Sequence, residues 1–204
     1  MRLLPNWEDA AALLARGGIV LLPTDTLPGL HCRADLPRAV SNLNALKQRR
    51  GRQPFLLLSG SMAGALEFTS AQDPRLVAYV KQCWPGPFSL ILPASPAAPD
   101  AVTAGGPTVA LRVPRPYELQ RLVTAAGFPL VSSSANLSGQ SPAADMEEAR
   151  HRFQEVVDGV LAVQPSWQPG AAEARASALV DLTVWPPRLL REGPEPLPPW
   201  QAGA

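Results

Sequence analysis

Hydrophobic residues along this chain follow two periods. Apolar positions three or four residues apart predict five helices, and Asn6 before the first and Pro37 in the second are typical of helix starts. These helices cover residues 7–15, 35–46, 73–83, 116–126 and 145–153. Short, wholly apolar runs predict buried strands. The strands cover residues 19–22, 55–58, 88–92, 108–113, 129–132, 156–163, 178–182 and 188–191.

Helices and strands mix along the chain without strict alternation. This order indicates an α/β or α+β fold in which a mixed sheet is covered by helices. Residues 94–107 are rich in Ala, Pro and Gly and are expected to form a surface loop, and residues 164–176 an irregular segment. We expect residues 1–193 to form a single domain and the Pro-rich residues 194–204 to be a flexible tail.

The segment 129–142, PLVSSSANLSGQSP, carries the most informative polar pattern. A strand ends there, and serines, an alanine, an asparagine and a glycine follow it within a few residues. Short donors and uncovered backbone N–H groups at one point suit an anion, and phosphate fits best. Ser and Gly also fill ordinary turns, so the structural interpretation stays open for this segment alone.

Bulk properties limit the classes of function. The 204 residues are 46% hydrophobic, which is enough for a sizeable core, and the formal net charge is +1. A near-neutral chain argues against a polyelectrolyte-type nucleic-acid binder. Acidic residues stand where a signal peptide would be apolar, and there is no run of eighteen apolar residues. We therefore expect a soluble, cytoplasmic protein without a membrane partner.

Two polar segments are candidates for a binding site. Residues 23–30, PTDTLPGL, follow a buried strand and offer the side chains of Thr24, Asp25 and Thr26 at the end of a sheet, where open sheets bind ligands. The other interpretation is a turn that caps a helix. Residues 47–52 carry a dense basic cluster at a helix end. Favourable charge at a helix C-terminus explains one or two cations, whereas four indicate a clamp for a triphosphate or another oxyanion.

Two arginines near strand ends need partners. A half-buried Arg112 or Arg191 is costly unless it is paired, so Arg112 should meet an acid of the protein or a carboxylate of a ligand. The two histidines give no catalytic triad, and His31 falls in an expected loop. The two cysteines form no metal-spaced cluster. The sequence has neither a P-loop motif nor a GxGxxG motif. If the protein is an ATP-using enzyme, it is therefore not of the P-loop or the Rossmann type.

Seven segments together resemble the YrdC-like family, the threonylcarbamoyl-AMP synthases. They follow the family's order and span residues 18–193, nearly the whole chain. The segments are PTDT with GL (23–30), KxR with Pro54 (47–54), WPGPFSLIL (84–92), VALRVP (109–114), PLVSSSANLSG (129–139), SALVDL (177–182) and LLREG (189–193).

The resemblance implies a twisted sheet around a large positively charged cavity and an enzyme that uses ATP, L-threonine and bicarbonate. It would release pyrophosphate, with Mg²⁺ carried by ATP, for the threonylcarbamoyl modification of tRNA by a downstream transferase. The resemblance also implies that the protein could contact tRNA directly. The implied catalytic residues are Lys47 and Arg49. The implied ATP-binding residues are Arg49, Thr108, Ser134, Asn136, Ser141 and Arg191. The implied threonine-binding residues are Thr26, Arg112, Ser132 and Ser177.

Three departures from the family pattern fall on the expected threonine side. Pro28 replaces an aromatic residue, Leu58 and Ser59 stand where many members have a His, and Ala178 replaces a Thr. Two alternatives to the synthase therefore remain: a non-catalytic RNA-binding or regulatory protein on the same scaffold, and a relative that forms a different carbamoyl-adenylate. The chain also ends soon after LLREG, so we expect it to lack the extra C-terminal domain of longer relatives.

Overall fold

The computed structural model describes residues 2–170 and 174–200, which fold around one large sheet. Its helices, in chain order, are α1 Trp7–Ala15, α2 Pro37–Leu46, α3 Met62–Leu66, α4 Pro74–Cys83, α5 Asp100–Thr103, α6 Tyr117–Ala125 and α7 Met146–Phe153. Its strands are β1 Leu3–Leu4, β2 Val20–Leu22, β3 Gly29–Arg33, β4 Leu56–Leu58, β5 Phe88–Pro93, β6 Thr108–Arg112, β7 Leu130–Ser134, β8 Gly159–Leu161, β9 Ala178–Asp181 and β10 Arg188–Arg191.

The ten strands lie in the order β1-β8-β2-β3-β7-β4-β6-β5-β9-β10. Four neighbouring pairs are parallel, namely β1 with β8, β8 with β2, β4 with β6 and β5 with β9, and the other pairs are antiparallel. Local sequence supports the helices beside this sheet: the Asn6 side chain accepts a hydrogen bond from Asp9 N at 2.7 Å, and Asp145 caps α7 in the same way. The predicted mixed sheet covered by helices is confirmed.

The two faces of the sheet are covered to different extents. On one face, α2, α4 and α7 bury side chains such as Leu30, Leu57 and Val131 in the larger core. On the other face, α1 and α6 cover a smaller core that includes Leu22 and Leu130. Burying apolar surface on both sides stabilises the sheet, but the second face keeps an uncovered area in its middle.

Four elements were not predicted from the sequence. The helix α5 falls within the expected loop 94–107 and β3 overlaps the polar segment 23–30, whereas β1 and α3 lie in stretches for which the sequence predicted no element. Elements this short carry too few positions to show a period, so only those within longer apolar runs, such as β2 and β4, could be predicted. The strand predicted over residues 129–132 also continues to Ser134, so the serines belong to β7 and the turn follows them.

The described part of the Pro-rich tail contacts the domain. Both guanidinium nitrogens of Arg115 donate to the Glu195 carboxylate, at 2.5 and 2.9 Å. The Tyr79 hydroxyl donates to the carbonyl of Pro198 at 3.3 Å, and the Trp200 ring lies edge-on to the Tyr79 ring. Residues 194–200 therefore have partners on the domain, and residues 201–204 lie outside the described residues.

Candidate functional site

The uncovered area of the sheet is the floor of a cleft. Ser132 of β7 pairs with Leu56 of β4, and Leu56 pairs with Ala110 of β6, so the three side chains lie in one row on one face. All three are partly exposed in the middle of the sheet, whereas Leu57 and Val131 on the opposite face are fully buried. A partly exposed row in the middle of a ten-stranded sheet is suited to binding a ligand.

One side of this cleft holds a group that we call the lysine cluster, Lys47, Arg49, Ser134 and Asn136. Lys47 follows α2, and its Nζ donates to the carbonyl of Ser134 at 2.5 Å and to Asn136 Oδ1 at 3.2 Å. The Ser134 hydroxyl donates to the same Oδ1 at 2.6 Å. Ser138 N donates to the carbonyl of Lys47 at 2.9 Å. The structure thus joins the end of α2 to the segment after β7.

Arg49 completes the lysine cluster. Its guanidinium lies over the Phe55 ring, 4.1 Å from the ring centre, and Nη2 donates to the carbonyl of Pro54 at 3.1 Å. Nη1 is buried and has no hydrogen-bond partner among the described residues. Since a buried unpaired donor is costly, the geometry leaves Nη1 ready for a ligand acceptor.

The charge of the lysine cluster is not neutralised by the protein. Burial, with a smaller contribution from the charge of Arg49, lowers the pKa of Lys47 to about 8, and burial also lowers the pKa of Arg49. In residues 2–170 and 174–200, neither side chain forms an ion pair with a carboxylate. Both cations are therefore destabilised in the free protein, and an anion at this place would relieve that cost.

The other side of the cleft holds the arginine cluster, Asp25, Thr26, Arg112, Ser177 and Arg191. Arg112 is 3% exposed, and its guanidinium pairs with the Asp25 carboxylate, donates from Nη1 to Thr26 Oγ1 at 2.8 Å and donates from Nε to the carbonyl of Gly86 at 3.3 Å. The partner expected for Arg112 is thus an acid of the protein. Because a guanidinium has five N–H donors and three are used here, two remain for a ligand.

Ser177 and Arg191 of the arginine cluster are bonded to each other. Arg191 Nε donates to the carbonyl of Ser177 at 3.0 Å, and the hydroxyls of Ser177 and Ser89 are 2.7 Å apart. Desolvation and the charge of Arg112 lower the pKa of Arg191. The two guanidinium groups are therefore close enough to repel each other, and only Arg112 has an acidic partner within the described part of the chain.

The Sua5/YciO/YrdC family model, whose description is telomere recombination, matches residues 12–193. The chain belongs to this family. The resemblance read from the seven sequence segments is therefore confirmed.

Two similar curated relatives carry the same name. A threonylcarbamoyl-AMP synthase of Coxiella burnetii is 34% identical over 154 residues, which are 76% of this chain and 83% of that protein. A protein of the same name from Vibrio parahaemolyticus is 31% identical over 172 residues, 83% of this chain and 93% of its own. The similarity thus extends over most of both proteins.

Solved structures of the family share the fold. Sua5 of P. abyssi in complex with L-threonine superposes with a TM-score of 0.80 at 30% identity, over 92% of this chain and 54% of that one. E. coli YciO superposes with a TM-score of 0.81 over 98% of both chains, and at 23% identity this likeness shows the fold alone. This chain therefore spans about half the length of P. abyssi Sua5.

Thr108 and Ser141 lie apart from the two clusters. Thr108 begins β6, two residues before Ala110 on the same face of the sheet, and is partly exposed. Ser141 is exposed, and its carbonyl accepts a hydrogen bond from Arg152 at 2.8 Å. Among the described residues no hydrogen bond joins either side chain to the lysine cluster, so their roles in ATP binding stay predictions from the family resemblance.

The backbone N–H groups after β7 are only partly open to an anion, as the sequence led us to expect of the whole segment. Ala135 N donates to the carbonyl of Pro28, and Asn136 N to that of Ser134, both at 2.9 Å. Ser138 N and Gln140 N are also bonded within the protein, whereas Leu137 N and Gly139 N have no hydrogen bond among the described residues. Side chains and these two N–H groups are therefore the donors left in this part of the chain.

Asp25 and His31 were not among the predicted site residues. Asp25 was noted as a carboxylate in PTDT, and its contact with Arg112 requires residues 87 positions apart to meet. The expectation that His31 lies in a loop is wrong: it is in β3, fully buried, and burial lowers its pKa to about 4. The alternation of Leu30 and Cys32 with His31 was the only signal for this strand.

All three departures from the family pattern fall on buried residues, Pro28 included. Leu58 is fully buried in the smaller core and Ala178 is 1% exposed in the larger one. Ser59 is 2% exposed, and its hydroxyl donates to the carbonyl of Ser61 at 3.0 Å. Each replacement is therefore packed against the protein in this structure, as the side chain of Arg112 is.

A separate cavity of about 790 Å³ lies between α2 and α7. Its lining includes Gln48, Leu137 and Gln140, which neighbour the lysine cluster in sequence but are not part of it. Across the described residues, no helix is long and apolar enough to cross a membrane. Nor does any group of three His, Cys, Asp or Glu side chains in residues 2–170 and 174–200 have the arrangement of a metal site.

Proposed function

We propose that this chain forms threonylcarbamoyl-AMP from L-threonine, bicarbonate or carbon dioxide, and ATP, with release of pyrophosphate. The curated relatives named threonylcarbamoyl-AMP synthase and the threonine complex of Sua5 support this activity. The observation that carries it is the pair of clusters on one open sheet face, one with two cations that have no acidic partner in the described chain and one in which Asp25 pairs with Arg112.

The lysine cluster is suited to the triphosphate. Lys47 and Arg49 bring two cations without an acidic partner in the described chain, and Arg49 Nη1 is an unused donor. Ser134 and Asn136 add short polar side chains beside them. Arg and Lys groups that are already in place stabilise the charge that develops during phosphoryl or nucleotidyl transfer. Thr108, Ser141 and Arg191 would hold other parts of ATP.

The arginine cluster is suited to the amino acid. The two unused N–H groups of Arg112 would bind the carboxylate of threonine, and Thr26 would add a hydroxyl next to them. Ser132 and Ser177 offer further hydroxyls. Asp25 already compensates Arg112, so this cluster carries less excess positive charge than the lysine cluster and suits a single carboxylate better than a polyanion.

The reaction consists of two bond-forming steps. The uncharged amine of threonine attacks the carbon of carbon dioxide and gives up a proton to form a carbamate, or attacks bicarbonate and forms the same carbamate with loss of water. A carbamate oxygen then attacks the α-phosphorus of ATP, and the bond from that phosphorus to the leaving pyrophosphate oxygen breaks. Lys47 and Arg49 stabilise the negative charge on the phosphates, so the protein contributes mainly positioning and electrostatics.

Mg²⁺ would enter with ATP. The side chains of the lysine cluster are cations, a hydroxyl and an amide, which suit phosphate oxygens better than a divalent cation. Residues 2–170 and 174–200 hold no group of three His, Cys, Asp or Glu that could bind the ion without the nucleotide. The ion would neutralise charge on the phosphates. The product would pass to a transferase that modifies adenosine in tRNA.

The test is an assay of pyrophosphate release with ATP and bicarbonate, run with each amino acid in turn. We expect release that requires threonine and bicarbonate, and a product with the mass of threonylcarbamoyl-AMP. Release that ignores threonine would point to a different carbamoyl-adenylate. No turnover, together with RNA binding that weakens steeply with salt, would point instead to the non-catalytic protein.

A further inference from the structure

His31 occupies an unusual place beside the cleft. It belongs to β3 and is fully buried, and it pairs across the strands with Ser132 of β7. Its Nε2 lies 3.1 Å from the Ser132 hydroxyl, which is hydrogen-bonding distance. Ser132 itself is partly exposed to the cleft. A buried imidazole thus holds the hydroxyl of a side chain that a ligand can reach.

The imidazole ring has little freedom to move. A Cβ atom at Gly29 would lie 2.6 Å from His31 Cε1, so the ring fills the space that the missing side chain leaves. The hydroxyl of Ser132 is therefore held by a fixed group rather than by water, and its rotation is restricted.

The second ring nitrogen decides which atom donates. Nδ1 of His31 is buried and forms no hydrogen bond of good geometry within the described residues, while the backbone carbonyls of Gly29 and Val20 act on the pKa of the ring against burial. A buried N–H without an acceptor is rarer than a bare acceptor. This favours the tautomer with the proton on Nε2, which then donates to Ser132 Oγ, and the second test below reads that tautomer directly. The pKa of His31, lowered to about 4 by burial, keeps the ring neutral at physiological pH.

We propose that His31 is a positioning residue that makes Ser132 a hydrogen-bond donor to the amino acid substrate. Because Nε2–H already donates to Ser132 Oγ, the hydroxyl hydrogen of Ser132 is directed elsewhere, and the open direction is the cleft. Threonine offers acceptor oxygens in its carboxylate and its hydroxyl. The identity of this ligand depends on the proposed function, whereas the orientation of Ser132 depends on geometry alone.

The first test compares threonine binding among four variants by calorimetry, at saturating non-hydrolysable ATP analogue. We expect His31→Leu to weaken threonine binding roughly tenfold, as for the loss of one buried hydrogen bond. His31→Gln, which keeps an N–H donor, should stay within about threefold of wild type by the same scale. The double variant His31→Leu/Ser132→Ala should bind no worse than Ser132→Ala, because His31 acts through Ser132.

The opposite results would overturn the proposal. These are unchanged threonine affinity in His31→Leu with a lower melting temperature, or additive losses in the double variant. The affinity for the ATP analogue serves as the control, and it should not change in any of the four variants.

The second test reads the His31 ring directly. The chain has only two histidines, so ring nitrogen resonances can be assigned by deleting one of them. NMR should show His31 as the neutral Nε2–H tautomer in wild type, with a changed Nε2–H signal in Ser132→Ala. The Nδ1–H tautomer would overturn the assignment.

The two proposals fail in different ways. Threonine binding without pyrophosphate release would overturn the proposed function and leave His31 in its role. Turnover with an unchanged threonine affinity in His31→Leu would overturn the role of His31 alone. No threonine binding by the wild type would overturn both.

Discussion

The lysine and arginine clusters lie on one sheet face but differ in whether their buried cation has an acidic partner. Lys47 is bonded to a carbonyl and an amide oxygen, both uncharged. Arg112 is bonded to the carboxylate of Asp25. Both cations are almost fully buried, at 4% and 3% exposure. The first cluster therefore carries two cations without an acidic partner in the described chain, Lys47 and Arg49, and the second carries one, Arg191.

This difference matches the substrates that we propose. A triphosphate carries several negative charges and is bound best by cations that the protein has not already compensated. An amino acid is neutral overall, so a compensated guanidinium with spare N–H donors binds its carboxylate without leaving excess buried charge. The placement of acids, rather than of bases, thus distinguishes the two halves of the cleft.

Removing the uncompensated charge should have the largest effect. In Lys47→Ala we expect kcat/KM for pyrophosphate release to fall roughly 10²–10³-fold, as when one preorganised group that stabilises a transition state is lost. Stopped assays of pyrophosphate would measure it. Lys81→Ala is the matched control, because Lys81 is the only other lysine and is exposed. Equal activity of the two variants would show that Lys47 does not bind the phosphates of ATP.

Removing the compensating acid tests the other half of the cleft. Asp25→Asn leaves the buried Arg112 without a counter-charge, and we expect a loss of about 3 kcal/mol in the free energy of unfolding. Calorimetry should show a melting temperature lower by roughly 6–12 °C.

Asp73→Asn is the control for that variant. The pair of Asp73 with Arg75 is exposed, at 42% and 59% of the side chains, so its loss should cost much less stability than the loss of Asp25. Similar losses in both variants would mean that Arg112 is not held by Asp25 in solution.

The pKa of Lys47 gives the lysine cluster a pH dependence. With a pKa of about 8, Lys47 loses its charge as the pH rises through that value, so kcat/KM for ATP should decline on the alkaline side. Lys47→Arg keeps its charge there, and its pH–rate profile should lose this decline whatever its absolute rate. A decline of the same shape in both proteins would assign it to another group.

The same shift has a consequence for stability. The unfolded lysine keeps its proton up to roughly pH 10, whereas the folded one releases it near pH 8, so the unfolded chain binds more protons in between. The contribution of Lys47 to stability should therefore rise over this window. Denaturant titrations of wild type and Lys47→Arg at both ends of the window would show the difference.

The sequence was sufficient for helices with a clear apolar spacing and for strands that are short apolar runs. The helix over residues 7–15 follows from its apolar spacing and its cap, the strands near residues 20, 57 and 110 follow from apolar runs, and the structure confirms them. Lys47 and Asn136 could be placed in one site because their segments occur in the family's order, and a hydrogen bond joins them.

The remaining parts depend on contacts between distant residues. The strand β3 has five residues and follows a turn, so nothing local separates it from a loop. The pairing of Asp25 with Arg112 and that of His31 with Ser132 need the sheet order β2-β3-β7-β4-β6, which no local pattern contains. Whether a buried cation has an acidic partner is therefore decided by topology.

The smallest effect concerns the exposed pair next to the arginine cluster. Arg115 donates its backbone N–H to the Asp25 carboxylate at 3.0 Å and its guanidinium to Glu195 in the tail. Only the first contact touches the compensating acid, so Glu195→Gln should cost less than about 1 kcal/mol and leave threonine affinity within about twofold. Calorimetry would measure both quantities. A larger loss of threonine affinity would mean that Glu195 also sets the charge around Arg112. The tail would then be part of the arginine side of the cleft.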